Sequence, residues 1–320
     1  MRRLGIALAV LLLLVIVGPR PQVVVPPLAP IVRAVPTDVA AIPAYLAREE
    51  HAVAGIHDNT EKRIVFADSG APHRTHYAVV YLHGFSATRQ ETAPLSERVA
   101  TALGANLFET RLTGHGLPGE AMGRATAGDW IADAVEAFTI GQRLGDSVIV
   151  IATSTGGTLA VWLAAQPDSV RRALKAIVLI SPNLAIKDPA SRILTWPWMQ
   201  TILPRVMPDR HWSSNNAEQE RYWTTTYPTA ALFPLAALVR DVRNIDASTI
   251  KTPMLVFTNQ GDNVVNEAAT SEFLRHVTNA RVERVNVLPA AGEDRHVIVG
   301  RILSPSQVDP FFARVLAFVR

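Results

Sequence analysis

From about residue 50 onward, short β-branched runs alternate with longer stretches of helical period. The clearest runs are Ala78–Leu82, Asn106–Thr110, Ser147–Ala152, Ala176–Ile180, Met254–Thr258 and Val282–Leu288. A weaker pair, Ala52–Ile56 and Arg63–Phe66, reads as an opening hairpin and brings the expected sheet to eight strands. Between the runs, helices are expected over Ala93–Leu103, Thr126–Leu144, Thr155–Ala165 and Glu267–Val277. A last helix, Asp309–Val319, is expected to open on a capping aspartate with Pro310 at its first position. Near-continuous apolar strands separated by helices predict an α/β fold, with a mostly parallel sheet covered on both faces. The right-handed crossover preference makes it doubly wound.

The alternation breaks at 186–245. Trp196, Trp198, Trp212 and Trp223 fall there among six prolines, without an obvious strand. The stretch is expected to be a cap inserted into a core formed by 44–185 and 246–320. Residues 19–43, with seven prolines, are expected to be an extended tether, since proline fixes φ and lacks an amide donor.

At the N-terminus, Arg2 and Arg3 precede an uninterrupted apolar run, Leu4–Val17, closed by Gly18 and Pro19. Two charges before a short apolar helix is the layout of an export signal. As a helix the run reaches about 21 Å, short of a roughly 30 Å hydrocarbon core. Pro19 opposes cleavage after Gly18, so residues 1–18 are expected to be a signal anchor, with a removed signal peptide as the other reading. Either way the expected location is outside the cytoplasm, membrane-anchored or periplasmic or extracellular, with any membrane association running through residues 4–17.

Composition narrows the chemistry. The net charge is +3 and the basic residues are scattered among acids, which argues against a nucleic-acid partner. There are no cysteines, so disulfides, thiolate metal sites and a cysteine nucleophile are excluded. No metal-binding His-Glu-x-x-His and no Gly-x-Gly-x-x-Gly after a strand is present; neither metal nor cofactor is expected.

The strand Ser147–Ala152 runs into Thr153-Ser154-Thr155-Gly156-Gly157 and then a helix. A serine on such a turn presents its hydroxyl above the sheet, beside a helix N-terminus. Earlier, Tyr81-Leu82-His83-Gly84-Phe85-Ser86 closes a strand, and its glycine allows a following amide to turn into a cleft. The backbone N–H groups of Phe85 and Thr155 are therefore candidate oxyanion donors, and His83 is expected to be structural. Asp262 follows the strand Met254–Thr258, where a carboxylate could orient an imidazole. His296, after the last strand, is the candidate base, with Glu293 and Asp294 as rival acids by proximity. The order Ser154, Asp262, His296 is that of one of the three unrelated triad folds.

These pieces, with Arg111-Leu112-Thr113-Gly114-His115-Gly116, resemble the α/β-hydrolases, especially monoacylglycerol lipases, lysophospholipases and related carboxylesterases. The resemblance spans residues 50–320. Ala152 departs from it, standing where the elbow usually has its first glycine. It implies a structural role for the 114–116 turn and a cap that lines an acyl pocket. The expected activity is hydrolysis of a small-molecule or lipid ester with a hydrophobic acyl group, through an acyl-enzyme on Ser154. Two alternatives use the same fold: a non-catalytic binding protein, and an acyltransferase with the same triad.

Overall fold

The computed structural model of the chain describes residues 17–320. The leader expected at 1–18 lies almost wholly outside the described residues. Among those described, no helix is long and apolar enough to cross a membrane.

The strands are β1 (Arg63–Val65), β2 (Thr75–Leu82), β3 (Asn106–Glu109), β4 (Gly145–Thr153), β5 (Leu174–Ile180), β6 (Asp209–His211), β7 (Thr226–Pro228), β8 (Met254–Thr258) and β9 (Val282–Asn286). Seven form one sheet in the order β1-β3-β2-β4-β5-β8-β9, all parallel except β1, which runs antiparallel to β3. The sheet is thus one strand short of the expected eight. Ala52–Ile56 forms no strand; it lies in the turns after a helix, Ile42–His51, whose Ile42, Tyr45 and Leu46 face the core. Arg63–Val65 pairs instead with β3, through Ile64 opposite Phe108.

The pleat explains why both faces are dry. Side chains alternate along a strand, so Ala78, Val80, Leu82, Val148 and Val150 enter one apolar layer, while Val79, Tyr81, Ile149 and Ile151 enter the other. Helices Ala127–Leu144 and Thr155–Ala164 cover the first face; Leu95–Leu103 and Val308–Val319 cover the second. Thr126 caps its helix in a reciprocal box with Asp129. The last helix begins one residue before Asp309, after a 3₁₀ turn at Pro305–Gln307, and Asp309 caps nothing. Its carboxylate accepts from Arg98 Nη1 at 2.6 Å.

The proline-rich stretch differs most from expectation. Leu28–Ala34 is a helix, and Val35, Val39 and Ile42 are buried in the first layer. Pro30 sits in the helix's first turn, where a missing N–H removes no intrahelical bond. Upstream, the Pro19 and Pro21 carbonyls accept from Trp198 N–H and Arg240 Nη1. This segment is packed along the molecule.

Residues between β5 and β8 leave the sheet. They form helices Met199–Val206, Ala217–Tyr222 and Leu232–Arg243, and a short antiparallel β6–β7 ladder that the sequence pattern did not signal.

Candidate active site

The sheet order reverses at β2: the next strand, β3, lies on one side and β4 on the other. Crevices at the carboxyl ends of strands form at such a switch point. Register fixes what meets there. Leu82 pairs with Ala152, so the turn after β2 and the turn after β4 leave the sheet side by side.

The turn after β4 is sharp. Ser154 has φ 50° and ψ −114°, a conformation that costs a non-glycine residue energy and needs surrounding structure to hold it. Its N–H donates to the Ile180 carbonyl at 2.9 Å, and Asn183 N–H donates to the Ser154 carbonyl at 3.0 Å. The helix then starts so close to β2 that a Cβ on Gly156 would lie 2.1 Å from the Leu82 carbonyl oxygen. Glycine is required at that position. Ala152, the departure from the usual elbow, points into the first apolar layer and is fully buried there.

Three of the side chains singled out from the sequence meet here. His296 Nδ1 lies 2.8 Å from Asp262 Oδ2, and its Nε2 lies 3.0 Å from Ser154 Oγ. A carboxylate can only accept, so Nδ1 carries the proton and Nε2 is left to accept from the serine hydroxyl. The second oxygen of Asp262, Oδ1, accepts from Val264 and Val265 N–H at 2.8 and 2.9 Å. The carboxylate is therefore fixed at both ends. Burial would lower the His296 pKa, but the hydrogen bond and charge of Asp262, with the charges of Glu91 and Asp294, outweigh it and raise the value.

The rival acids have other partners. Asp294 Oδ1 accepts from His296 and Val297 N–H, both at 2.7 Å, and so shapes the loop that carries the imidazole. Glu293 holds Ala290 and Ser306. Asn259 ties the acid turn to the histidine loop by donating to the Arg295 carbonyl at 2.9 Å. Sequence reasoning missed Asn259, since a polar residue after a strand reads as an ordinary turn.

The two candidate oxyanion donors, Phe85 N–H and Thr155 N–H, have no hydrogen-bond partner among the described residues. Thr155 is the first residue of its helix, so no carbonyl of that helix can take its amide. His83 is structural, as expected. It accepts from Leu112 N–H on Nε2 at 3.0 Å, which leaves the proton on Nδ1 to donate to the Gly84 carbonyl at 2.9 Å. Burial, and then the neighbouring His115, hold His83 well below its ordinary pKa, so it stays neutral. His115, from the Gly114-His115-Gly116 turn, lies against Phe85 and Trp130 in an edge-to-face aromatic cluster beneath this loop.

The excursion between β5 and β8 bears directly on the turn after β2 and on the loop that carries His296. Thr224 N–H donates to the Ser86 carbonyl at 2.7 Å, and Trp223 packs with Ala87 and Val297. Asn216 donates to the Ile302 carbonyl, and Glu218 pairs with Arg301.

Comparison with known proteins gives the same chemistry a context. The model of the family described as serine aminopeptidase, S33 matches residues 73–291. A thermostable monoacylglycerol lipase from Bacillus sp. (strain H-257) is 30% identical over 210 residues, covering 65% of this chain and 80% of that protein. Among solved structures, one of two metagenome-derived lipolytic enzymes superposes with a TM-score of 0.67 at 22% identity, covering 83% of this chain and 99% of the other. A monoacylglycerol lipase from Paleococcus ferrophilus gives 0.58 at 14% identity, covering 81% and 97%. At such identities the structural likenesses speak for the fold alone.

Proposed function

Because the chain belongs to the serine aminopeptidase, S33 family and is a serine hydrolase of lipase and esterase type, we propose that it cleaves carboxylic esters with a hydrophobic acyl group, through an acyl-enzyme on Ser154. The observation that carries this reading is the unbroken chain Asp262–His296–Ser154, with contacts of 2.8 and 3.0 Å, beside two amides without partners among the described residues.

In this reading Ser154 Oγ attacks the ester carbonyl carbon while His296 Nε2 takes its proton. The carbonyl oxygen becomes an oxyanion that accepts from Phe85 and Thr155 N–H, donors preorganised in a dry turn. Collapse breaks the bond to the alcohol, which leaves with the proton from His296. Water then enters, gives a proton to the same nitrogen and attacks the acyl carbon. Release of the acid returns the proton to Ser154. The similarity to a bacterial monoacylglycerol lipase supports a lipid ester. The residue 186–245 excursion, as a cap, would line the acyl pocket. The leader sequence at residues 4–17 supports an exported enzyme, held at or released from the membrane; reporter fusions that stay in the cytoplasm would refute that location.

The test is hydrolysis of p-nitrophenyl esters of increasing chain length by the wild type and Ser154→Ala. The variant should lose turnover by about 10⁵-fold or more with its circular dichroism spectrum intact. Residual turnover near wild type would remove Ser154 from the mechanism. A wild-type rate highest on acetate and falling with chain length would remove the hydrophobic acyl group.

A further inference from the structure

Glu91 is 2% exposed and lies against the reacting groups, yet the acylation steps above do not use it. Both of its hydrogen bonds converge on one oxygen. Gly84 N–H donates to Oε2 at 2.8 Å and Tyr81 Oη–H donates to it at 3.0 Å. The other oxygen faces the turn: a Cβ built on Gly84 would lie 2.7 Å from Glu91 Oε1 and 3.1 Å from Ser154 Cβ. Carboxyl and nucleophile thus approach one backbone atom from neighbouring directions, which is why position 84 takes no side chain.

The peptides on both sides of Gly84 are consequently held. The N–H before it belongs to Glu91, and the carbonyl after it accepts from His83. That carbonyl shares a planar trans peptide with the Phe85 amide. With both flanking planes fixed, Gly84 has no φ/ψ freedom left, and the Phe85 N–H has one direction in which to point. A glycine without the Glu91 bond could flip its preceding peptide at little steric cost.

The charge of Glu91 reaches further. It is one of the charges that raise the His296 pKa, with Asp262 and Asp294. The groups facing Glu91 are Tyr81 from β2, and His296 and Asp294 from the loop after β9. Burial raises its own carboxyl pKa to about 7, against the pull of the Gly84 amide and the His296 charge. Its charge therefore changes over the range where His296 must be neutral to act as a base.

We propose that Glu91 is a second acidic positioning residue of this site, acting through the Gly84 amide on the oxyanion turn and through its charge on His296. The proposal rests on the acyl-enzyme reading, and the two can fail separately. If the wild type shows no Ser154-dependent esterase activity, the reading itself has failed.

Given that activity, Glu91→Gln and Glu91→Leu separate the two effects. Glutamine keeps a carbonyl oxygen that can accept from Gly84 and Tyr81 but carries no charge. It should keep turnover within a few-fold of wild type, and the acidic limb of its kcat/KM profile should move to lower pH. Leucine removes the acceptor, leaving the turn unpinned. Its kcat should fall by about 10²-fold, on the scale of one displaced oxyanion donor. Its KM should hold, and its affinity for a boronic acid that forms the tetrahedral serine adduct should weaken in parallel. Tyr81→Phe, which removes the other donor and leaves Gly84 untouched, should keep kcat. An unmoved acidic limb in the glutamine variant, or wild-type kcat in a folded leucine variant, overturns the proposal. Should the leucine variant not fold, the limb of the glutamine variant alone decides.

Discussion

At the scale of single residues, the site depends on the tautomer of one imidazole. Asp262 accepts from Nδ1–H, so the lone pair that would take the serine proton in the proposed reaction sits on Nε2. Asp262→Asn presents an amide that can donate to Nδ1 and so favours the other tautomer. A loss of about 10⁴-fold in kcat is expected, with Ser154 still positioned; a near-normal rate would pass the role to another acid. The sign of the pH dependence follows from the same contacts. A base must be unprotonated, and the His296 pKa is raised above its ordinary 6.5. The acidic limb of kcat/KM should therefore lie above pH 6.5, and a limb below it would contradict the charge arrangement around the ring. That Ser154, Asp262 and His296 meet was legible in the sequence because each follows a strand, and chain order suggested a candidate role for each. Glu91 was not, because a glutamate in a polar loop reads as solvated, and its burial comes from Tyr81, the turn after β2 and the loop after β9 closing around it.

At the scale of elements, the strands were the most legible part of the fold. Their apolar runs are near-continuous because helices cover both faces, and β2, β4, β5 and β8 are found close to where those runs lie. The stretches that misled were those whose local preference was overruled by packing. Prolines near the N-terminus suggested an extended chain, yet Pro27 at the N-cap and Pro30 in the first turn of the Leu28–Ala34 helix occupy positions that a helix tolerates. Ala52–Ile56 had a strand's composition, but the helix before it had already supplied the buried residues at that edge. The second face of the sheet offers a direct check on packing. Phe311 of the last helix stacks on Phe257 of β8, with ring centroids 3.9 Å apart and planes at 19°. Phe311→Ala should destabilise the protein by about 3–5 kcal/mol, measured by urea unfolding. A cost below about 1 kcal/mol would mean that the helix is not anchored through this ring.

At the scale of the whole molecule, the N-terminal segment is clasped onto the core by buried charge. Glu50 takes a two-pronged bond from Arg111 Nε and Nη2 at 3.0 and 2.8 Å, and the same arginine reaches the His115 carbonyl. Burial pushes the Glu50 pKa up, but Arg111 and Lys62 more than offset it, and the net shift is downward. A carboxyl with a depressed folded pKa contributes stability above its unfolded pKa and loses it as pH falls through the folded value. Glu50→Gln should therefore destabilise the protein at neutral pH, by roughly 3–5 kcal/mol for a buried pair left with one partner. The deficit should narrow in acid; one equally large at pH 3 and pH 7 would show that charge is not its source. Lys62 and Tyr45 converge similarly on Glu136, so the sheet, the segment before it and the 111–116 turn are expected to unfold together.

The bond from Thr224 to the Ser86 carbonyl, with Asn216 and Glu218 bound to the 301–302 region, also bears on how this scaffold could be re-engineered. Grafting another hydrolase's segment in place of 186–245, to borrow its selectivity, would also remove the struts that brace the loops around the nucleophile. Such a chimera should turn over even acetate slowly, although acetate is too small to sample the transplanted walls. Keeping residues 215–225 native in the graft should restore that rate.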